Sequence, residues 1–416
     1  MVIMIGLLDC NNFFVSCERL FRPDLWNKPV AVLSSNDGCI VARSQEVKDM
    51  GIPMGVPHFQ VKDICTKESV TLFSGNLTLY RDISARVMQV LLEEVGACEI
   101  YSIDEAFFTL PDTVTVDEIK RIRDLVMQKV GVPVSVGVAR SKTLAKIASG
   151  IGKKEDGFYI LRQKDWENRA KDTKCGTVWG LGRQTTKKLN EIGIRNVSQF
   201  MALPNAVVRQ NFNIGTQRIY TELCGTPVFG VDQNSESVRQ SIASTRSFAH
   251  TTTDIADLES AVANHVTHVA EKLRERNMCT THLSVHIQTD RFGDFFMQSA
   301  SGEIVLPEPT AQTAVLLKYA LEKVRILYKQ DVPYKKAGVT VSSLMPASYI
   351  TQDLFTQTVT ETISKLDEVT DAINQKFGKG VLRSGAILER AVKSNAKLRS
   401  PNYTTVWKDI PVVGAK

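Results

Sequence analysis

Three carboxylates stand where a folded chain could bring them together. Asp9 closes the short apolar run Val2–Leu8, and Asp104 and Glu105 lie side by side within the strand-like stretch Glu99–Leu110. A continuous apolar run ended by an acid reads as a buried central strand delivering a carboxylate at its end. Neighbours on a regular strand face opposite ways, so Asp104 and Glu105 reach one site only if the chain turns there, between Ile103 and Ala106. Converging oxygen donors suit Mg²⁺, which keeps water and substrate phosphate in its shell and needs only two or three carboxylates. Two such ions about 3.5–4 Å apart would hold the attacking and leaving oxygens of a phosphoryl transfer. Each acid alone reads equally well as a solvated strand end or an ordinary hairpin turn.

Periodicity and punctuation give the elements able to position them. Asn11–Leu20 carries aromatics and Cys17 at helical spacing, and Pro29–Leu33 and Gly38–Ala42 read as short strands around a turn. Leu77–Val95 and about Val116–Val130 are helices, Val134–Val138 is a strand, and Ser141–Ile151 is a helix opened by a serine cap. Together these predict an α+β unit with a small insertion near residues 25–75. From about 170 the chain turns to short helices: Val178–Gly182 leads into Arg183–Glu191, and Gly193 begins a second helical stretch. Strands at Gln240–His250, Thr281–Gln288 and Lys336–Ser342, helices at Asp254–Asn277 and Thr310–Tyr328, and a hairpin near Gly293 and Gly302 spell β-α-β-β-α-β. Beyond Pro346 strong periodicity is lost, and Lys376–Lys408 holds eight lysines and arginines against the single acid Glu389.

At 416 residues the chain exceeds one ordinary core and should divide into several domains. A net charge of +6 permits a nucleic-acid partner without demanding one. The eight cysteines are scattered, with no C-x-x-C pair, which favours reduced thiols over a disulfide framework. No apolar run is long enough to span a bilayer, and Val2–Leu8 lacks the flanks of a signal peptide, so a cytoplasmic protein is expected.

The letters around the acids carry more. Tyr101-Ser-Ile-Asp-Glu-Ala-Phe107, with Asp9-Cys-Asn-Asn-Phe-Phe14 upstream, resembles the two palm motifs of Y-family DNA polymerases. Phe21–Trp26, Ser34–Cys39 and Leu398–Thr405 resemble the UmuC branch, and the likeness runs in order from Val2 to about Val413. It implies a multidomain, right-hand-like α+β fold: palm 1–24 and 76–168, fingers 25–75, a helix-hairpin-helix thumb 169–238, a little finger 239–346 and a basic extension 347–416. It implies error-prone, template-directed translesion synthesis in the SOS response, using two Mg²⁺ ions. Asp9 and Asp104 would bridge both ions, Glu105 would hold the catalytic one, and the backbone carbonyl of Cys10 would complete a shell.

By the same resemblance Phe14 is the ring under the incoming sugar, refusing a 2′-hydroxyl by overlap and by leaving it unpaired. Phe13 reads equally as pocket wall or core. Lys48 and Lys153 would grip the triphosphate, with Lys154 a possible substitute; relatives commonly carry arginine where Lys48 stands and tyrosine where Gln45 stands. The small residues Ser34, Ser35, Gly38 and Ala42 imply a loose pocket over the nascent pair. Gly180, Gly182 and Arg183 resemble a hairpin whose amides approach DNA phosphate. Arg246, Arg274 and Arg276 are candidate phosphate contacts, and the pairs His265/His268 and His282/His286 read as structural or surface histidines. Gln352, Leu354 and Phe355 resemble a shortened sliding-clamp peptide, against the alternative of an ordinary amphipathic turn. Expected partners are primer-template DNA, dNTP, a processed UmuD-like dimer, RecA and the sliding clamp. The rival readings are a DNA-docked scaffold with a vestigial site and a palm-type nucleotide cyclase.

Overall fold

The computed structural model describes residues 3–34, 36–232, 240–290, 295–349, 360–378, 380–388 and 396–412. The chain divides into two compact units, Met1–Glu236 with Lys397–Lys416, and Ser237–Ala396. Both mix helix and sheet, giving the expected α+β, multidomain class.

The first unit opens with β1 (Ile3–Cys10) and α1 (Phe13–Leu20), then β2 (Val30–Leu33), β3 (Ile40–Arg43), α2 (Gln45–Asp49), α3 (His58–Lys67) and β4 (Thr71–Ser74). It continues through α4 (Leu77–Val95), β5 (Cys98–Ile100), β6 (Glu105–Pro111), α5 (Val116–Val130), β7 (Val134–Ala139), α6 (Lys142–Gly152) and β8 (Phe158–Ile160). The main sheet has the order β5-β6-β1-β7-β8, with β1 central and antiparallel to both neighbours. Side chains alternate across it. Met4 and Leu8 join the core under α1, α4 and α5, whereas Ile5 and Leu7 join the core under α6. Two covered faces explain why β1 is apolar throughout.

Residues 30–74 form a separate sheet, β3-β2-β4, over a small core that includes Val47 of α2 and Val61 and Cys65 of α3. Five short helices follow: α7 (Gln163–Arg169), α8 (Arg183–Glu191), α9 (Val197–Met201), α10 (Asn205–Asn211) and α11 (Ile214–Leu223). The helix expected from Gly193 starts later, at Val197, because Asn196 and Gln199 form a reciprocal capping box there.

The second unit runs β9 (Ser241–Thr252), α12 (Ile255–Arg274), β10 (Met278–Thr289), β11 (Ser299–Thr310), α13 (Thr313–Leu327) and β12 (Tyr334–Pro346), in sheet order β11-β10-β12-β9. Gly302 lies within β11 opposite Val285 rather than at a hairpin tip.

Two findings differ from expectation beyond Pro346. A helix, α14 (Thr360–Phe377), occupies a stretch expected to lack strong periodicity. It is anchored by polar groups: Asp367 and Asp371, one turn apart, meet Arg274 at 3.3 and 2.7 Å, while Leu366 and Val369 are exposed. The segment 347–416 is also divided, its last part joining the first unit. Among the described residues no helix is long and apolar enough to cross a membrane.

Candidate active site

Antiparallel register brings the acids together. Asp9 on β1 lies directly opposite Glu105, the first residue of β6. Both share the parity of Ile5, Leu7 and Phe107, so both side chains project toward the α6 side of the sheet. The chain turns through residues 101–104, just before Glu105 rather than around it: the amides of Tyr101 and Ser102 both donate to the Glu105 carbonyl. That turn carries Asp104, whose carbonyl accepts from the Cys10 amide at 2.9 Å and whose Oδ1 accepts from the Ser102 hydroxyl at 2.6 Å. Cys10 has the opposite parity and is 2% exposed in the other core, where burial pushes its thiol well above the ordinary range. Its backbone, not its sulfur, belongs to the site.

Lysines face the acids. Lys153 Nζ donates to Asp9 Oδ1 at 2.5 Å, and Lys146 Nζ to Glu105 Oε2 at 2.9 Å. Both come from the α6 region because that helix lies flat on β7: a Cβ on Gly137 would sit 2.3 Å from the Ala145 carbonyl oxygen. Burial raises the Asp9 carboxyl from 3.8 to about 6; Lys153 opposes the shift and neighbouring Glu105 adds to it. Lys48 donates to Asn12 Oδ1 at 2.6 Å. Its pKa is lowered first by burial and then by the nearby charges of Lys153 and Arg43. Three cations crowded beside the acids make a place that favours a multiply charged anion.

As the side chains stand, no three acid, cysteine or histidine groups among the described residues form a metal cluster. Asp9 and Glu105 are each engaged by a lysine ammonium, and Asp104 by a hydroxyl. The donor set is nevertheless that of a hard divalent cation: carboxylate oxygens, one held near 6 by burial, with positive charge already drawn to two of them.

Phe13 is 3% exposed and belongs to the core, the second of its two expected readings. Phe14 is half-buried and stacks on Tyr80, ring centroids 4.5 Å apart and 17° from parallel. Gly180 adopts φ +85°, and Gly182 is the N-cap of α8 with no side chain closing that helix end, so its first amides face outward beside Arg183. Arg183 also lines an open depression of about 490 Å³ with Gly176, Thr186, Lys187, Asn190 and Glu191. Arg274 is engaged by Asp367, Asp371 and the Ala311 carbonyl, which gives it a structural task in place of the phosphate contact expected. His265 is buried against the Ser244 hydroxyl. Gln352, Leu354 and Phe355 lie outside the described residues, as does Ser35.

Lys146 joins the site beyond the residues expected from sequence, and its spacing carries the signal: it lies seven residues before Lys153, two helical turns, hence on the same face. Its ammonium also lies 4.8 Å from the Tyr101 ring and 5.5 Å from that of Trp179, joining the acidic turn to the segment before α8.

The impB/mucB/samB family profile matches residues 8–150, that family's C-terminal domain matches 239–354, and a domain of unknown function matches 364–413. Protein UmuC of Salmonella typhimurium is 34% identical, the alignment covering 98% of this chain and 99% of that protein. MucB of Escherichia coli is 32% identical over 99% and 100%, and DNA polymerase IV 1 of Bacillus subtilis 25% identical over 92% of each. A solved Y-family DNA polymerase chimera superposes with a TM-score of 0.66 at 18% identity, covering 82% of this chain and 99% of the chimera. Near-full-length identity above 30%, with the acids of both motifs in one place, makes this chain a member of the impB/mucB/samB family, the UmuC branch of the Y-family DNA polymerases.

Proposed function

We infer that the chain is a DNA-directed DNA polymerase performing error-prone translesion synthesis in the SOS response. The observation that carries this reading is the pairing of Asp9 with Glu105 across β1 and β6, the turn bearing Asp104 beside them and Lys48 and Lys153 facing them. The family depends on divalent metal; we assign Mg²⁺, held by Asp9, Asp104 and Glu105 with the Cys10 carbonyl. When bound, such ions supply the positive charge that stabilises the oxygens of nucleotidyl transfer. The carboxylates orient the primer 3′-hydroxyl against the α-phosphate, while Lys48 and Lys153 hold the triphosphate and favour pyrophosphate as the leaving group. Lys146 keeps Glu105 aligned. Phe14 floors the sugar.

The five-stranded sheet is assigned as palm (1–24 and 76–168), the β3-β2-β4 sheet as fingers (25–75), the α8–α11 region as thumb (169–238) and the β9–β12 sheet as little finger (239–346). Gly180, Gly182 and Arg183 offer amides and charge to primer-template phosphate, a contact that positions DNA without reading its sequence. For partners we propose a processed UmuD-like dimer, RecA and, through Gln352, Leu354 and Phe355, the sliding clamp. The setting is the cytoplasm.

Primer extension with and without Mg²⁺ tests the assignment. Asp104→Asn should cut extension by about 10²–10³-fold, as expected when charge stabilisation is removed, and leave primer-template affinity nearly unchanged. Extension retained by the variant would overturn the site.

A further inference from the structure

The last described segment of the chain returns to the first unit and reaches the residues behind the proposed sugar floor. The Leu398 amide donates to the Ser74 hydroxyl and the Ser74 amide to the Leu398 carbonyl, at 2.9 and 3.0 Å, and Ser74 pairs with Arg399 as a parallel bridge. Asn76, wholly buried at the N-cap of α4, donates to the Ser400 carbonyl and hydroxyl at 3.0 and 3.1 Å. The Ser400 hydroxyl in turn donates to Glu18 Oε1 at 3.0 Å, on the same oxygen that accepts from the Tyr80 hydroxyl at 2.6 Å. Glu18 is 1% exposed and Tyr80 is wholly buried. Farther on, Tyr403 stacks on Phe21 at 4.4 Å.

We propose that this C-terminal strap is a specificity-determining part of the nucleotide pocket, with Ser400 and Tyr80 as positioning residues that fix the Phe14 ring through Glu18. The inference rests on the reading of Phe14 as sugar floor. Its physical basis is a run of polar contacts that leads to one ring stack inside the core. Phe14 is only half-buried and its flat partner is Tyr80, so the ring's height is set by where Tyr80 lies. Tyr80 in turn is held at its hydroxyl by one buried carboxylate oxygen. The only hydroxyl besides that of Tyr80 to reach Glu18 Oε1 among the described residues is that of Ser400, from a segment more than 380 residues away in sequence. A buried carboxylate that loses one of two donors shifts toward its remaining partner, and the stacked ring moves with it.

The experiment measures kcat/KM for a ribonucleotide and the matching deoxynucleotide in the full chain and in Ser400→Ala, Tyr80→Phe, Phe14→Ala and the Ser400→Ala/Phe14→Ala double variant. Each protein is first checked for folding and primer-template binding. The ribonucleotide-to-deoxynucleotide ratio should rise steeply in Phe14→Ala and about three- to tenfold in Ser400→Ala and Tyr80→Phe, the change that losing one hydrogen bond brings. The double variant should show no larger ratio than Phe14→Ala alone, since both changes act on one wall. A merely structural strap would lower both rates together and leave the ratio alone; that result, with Phe14→Ala raised, overturns the inference. An unchanged ratio in Phe14→Ala removes the sugar floor itself and this inference with it. Should Ser400→Ala not fold, Ser400→Cys, which keeps the size of the side chain and weakens its hydrogen bond to Glu18, takes its place, and an unchanged ratio in that folded variant overturns the inference.

Discussion

Replacing Asp9 by asparagine should make the folded chain more stable while destroying its activity. The carboxyl is raised from 3.8 to about 6, chiefly by burial, and the attraction of Lys153 is already inside that net value. A pKa raised by folding means that the folded chain holds the proton more tightly than the unfolded one. The group therefore favours folding below about pH 4, and that contribution is lost as pH rises toward and through 6. Above that window, ionised Asp9 costs about 3 kcal/mol relative to its neutral form, at about 1.36 kcal/mol per pH unit. Asparagine has the neutral shape and no titration, so the stability gap should be near zero at pH 4 and grow to about 3 kcal/mol by pH 8. Urea unfolding in EDTA, followed by tryptophan fluorescence, measures it. All four tryptophans (26, 166, 179 and 407) lie in the unit that holds Asp9, so the signal reports on that unit alone. Added Mg²⁺ at pH 8 should then stabilise the parent chain in proportion to ion occupancy and stabilise Asp9→Asn much less. A gap that does not change with pH, or a variant less stable at pH 8, would refute the reasoning.

Other consequences are independent of that titration. Log affinity for primer-template DNA should fall linearly with log salt and depend little on sequence; a flat salt response in a binding titration would exclude the basic surfaces named above. Changing Gln352, Leu354 and Phe355 together to alanine should leave extension of a short oligonucleotide unchanged and abolish stimulation by loaded clamp. Stimulation that survives the triple change puts the docking peptide elsewhere. Arg274→Ala leaves Asp367 and Asp371 facing each other without their cation, which should loosen α14 by about 3 kcal/mol. Limited proteolysis should then cut near 360–378 well before the β9–β12 sheet; an unchanged cleavage pattern would show that α14 is held by something else.

The site was legible because its logic is local. An apolar run ending in an acid places Asp9 on a central strand, and an acid pair between two strand-like runs marks the turn that carries Asp104 and leads into Glu105. What the sequence could not supply was register. Only the pairing of Asp9 with Glu105 fixes that both side chains share the parity of Leu7 and Phe107, and so meet α6. Lys146 follows from that parity and from the close seating of α6 at Gly137, neither of which a spacing argument reaches alone.

The unread parts share one cause: they are held by polar contacts between distant residues, which an apolar period does not mark. On α14 the packed face is marked by Asp367 and Asp371, whereas Leu366 and Val369 face outward, so a search for a buried apolar stripe finds the wrong side. The strap at Leu398–Tyr403 has the same character. Its anchors are one bridge, the amide of Asn76, the carboxylate of Glu18 and the ring of Phe21, drawn from three elements near the start of the chain. Glu18 Oε1 accepts from the Tyr80 and Ser400 hydroxyls, and Asn76 holds Ser400 in turn, so these groups place one another inside the core. Asn76, Tyr80 and Ser400 are therefore one polar core, as buried as the apolar core around them, and the C-terminal segment is fixed to the sheet unit by that core.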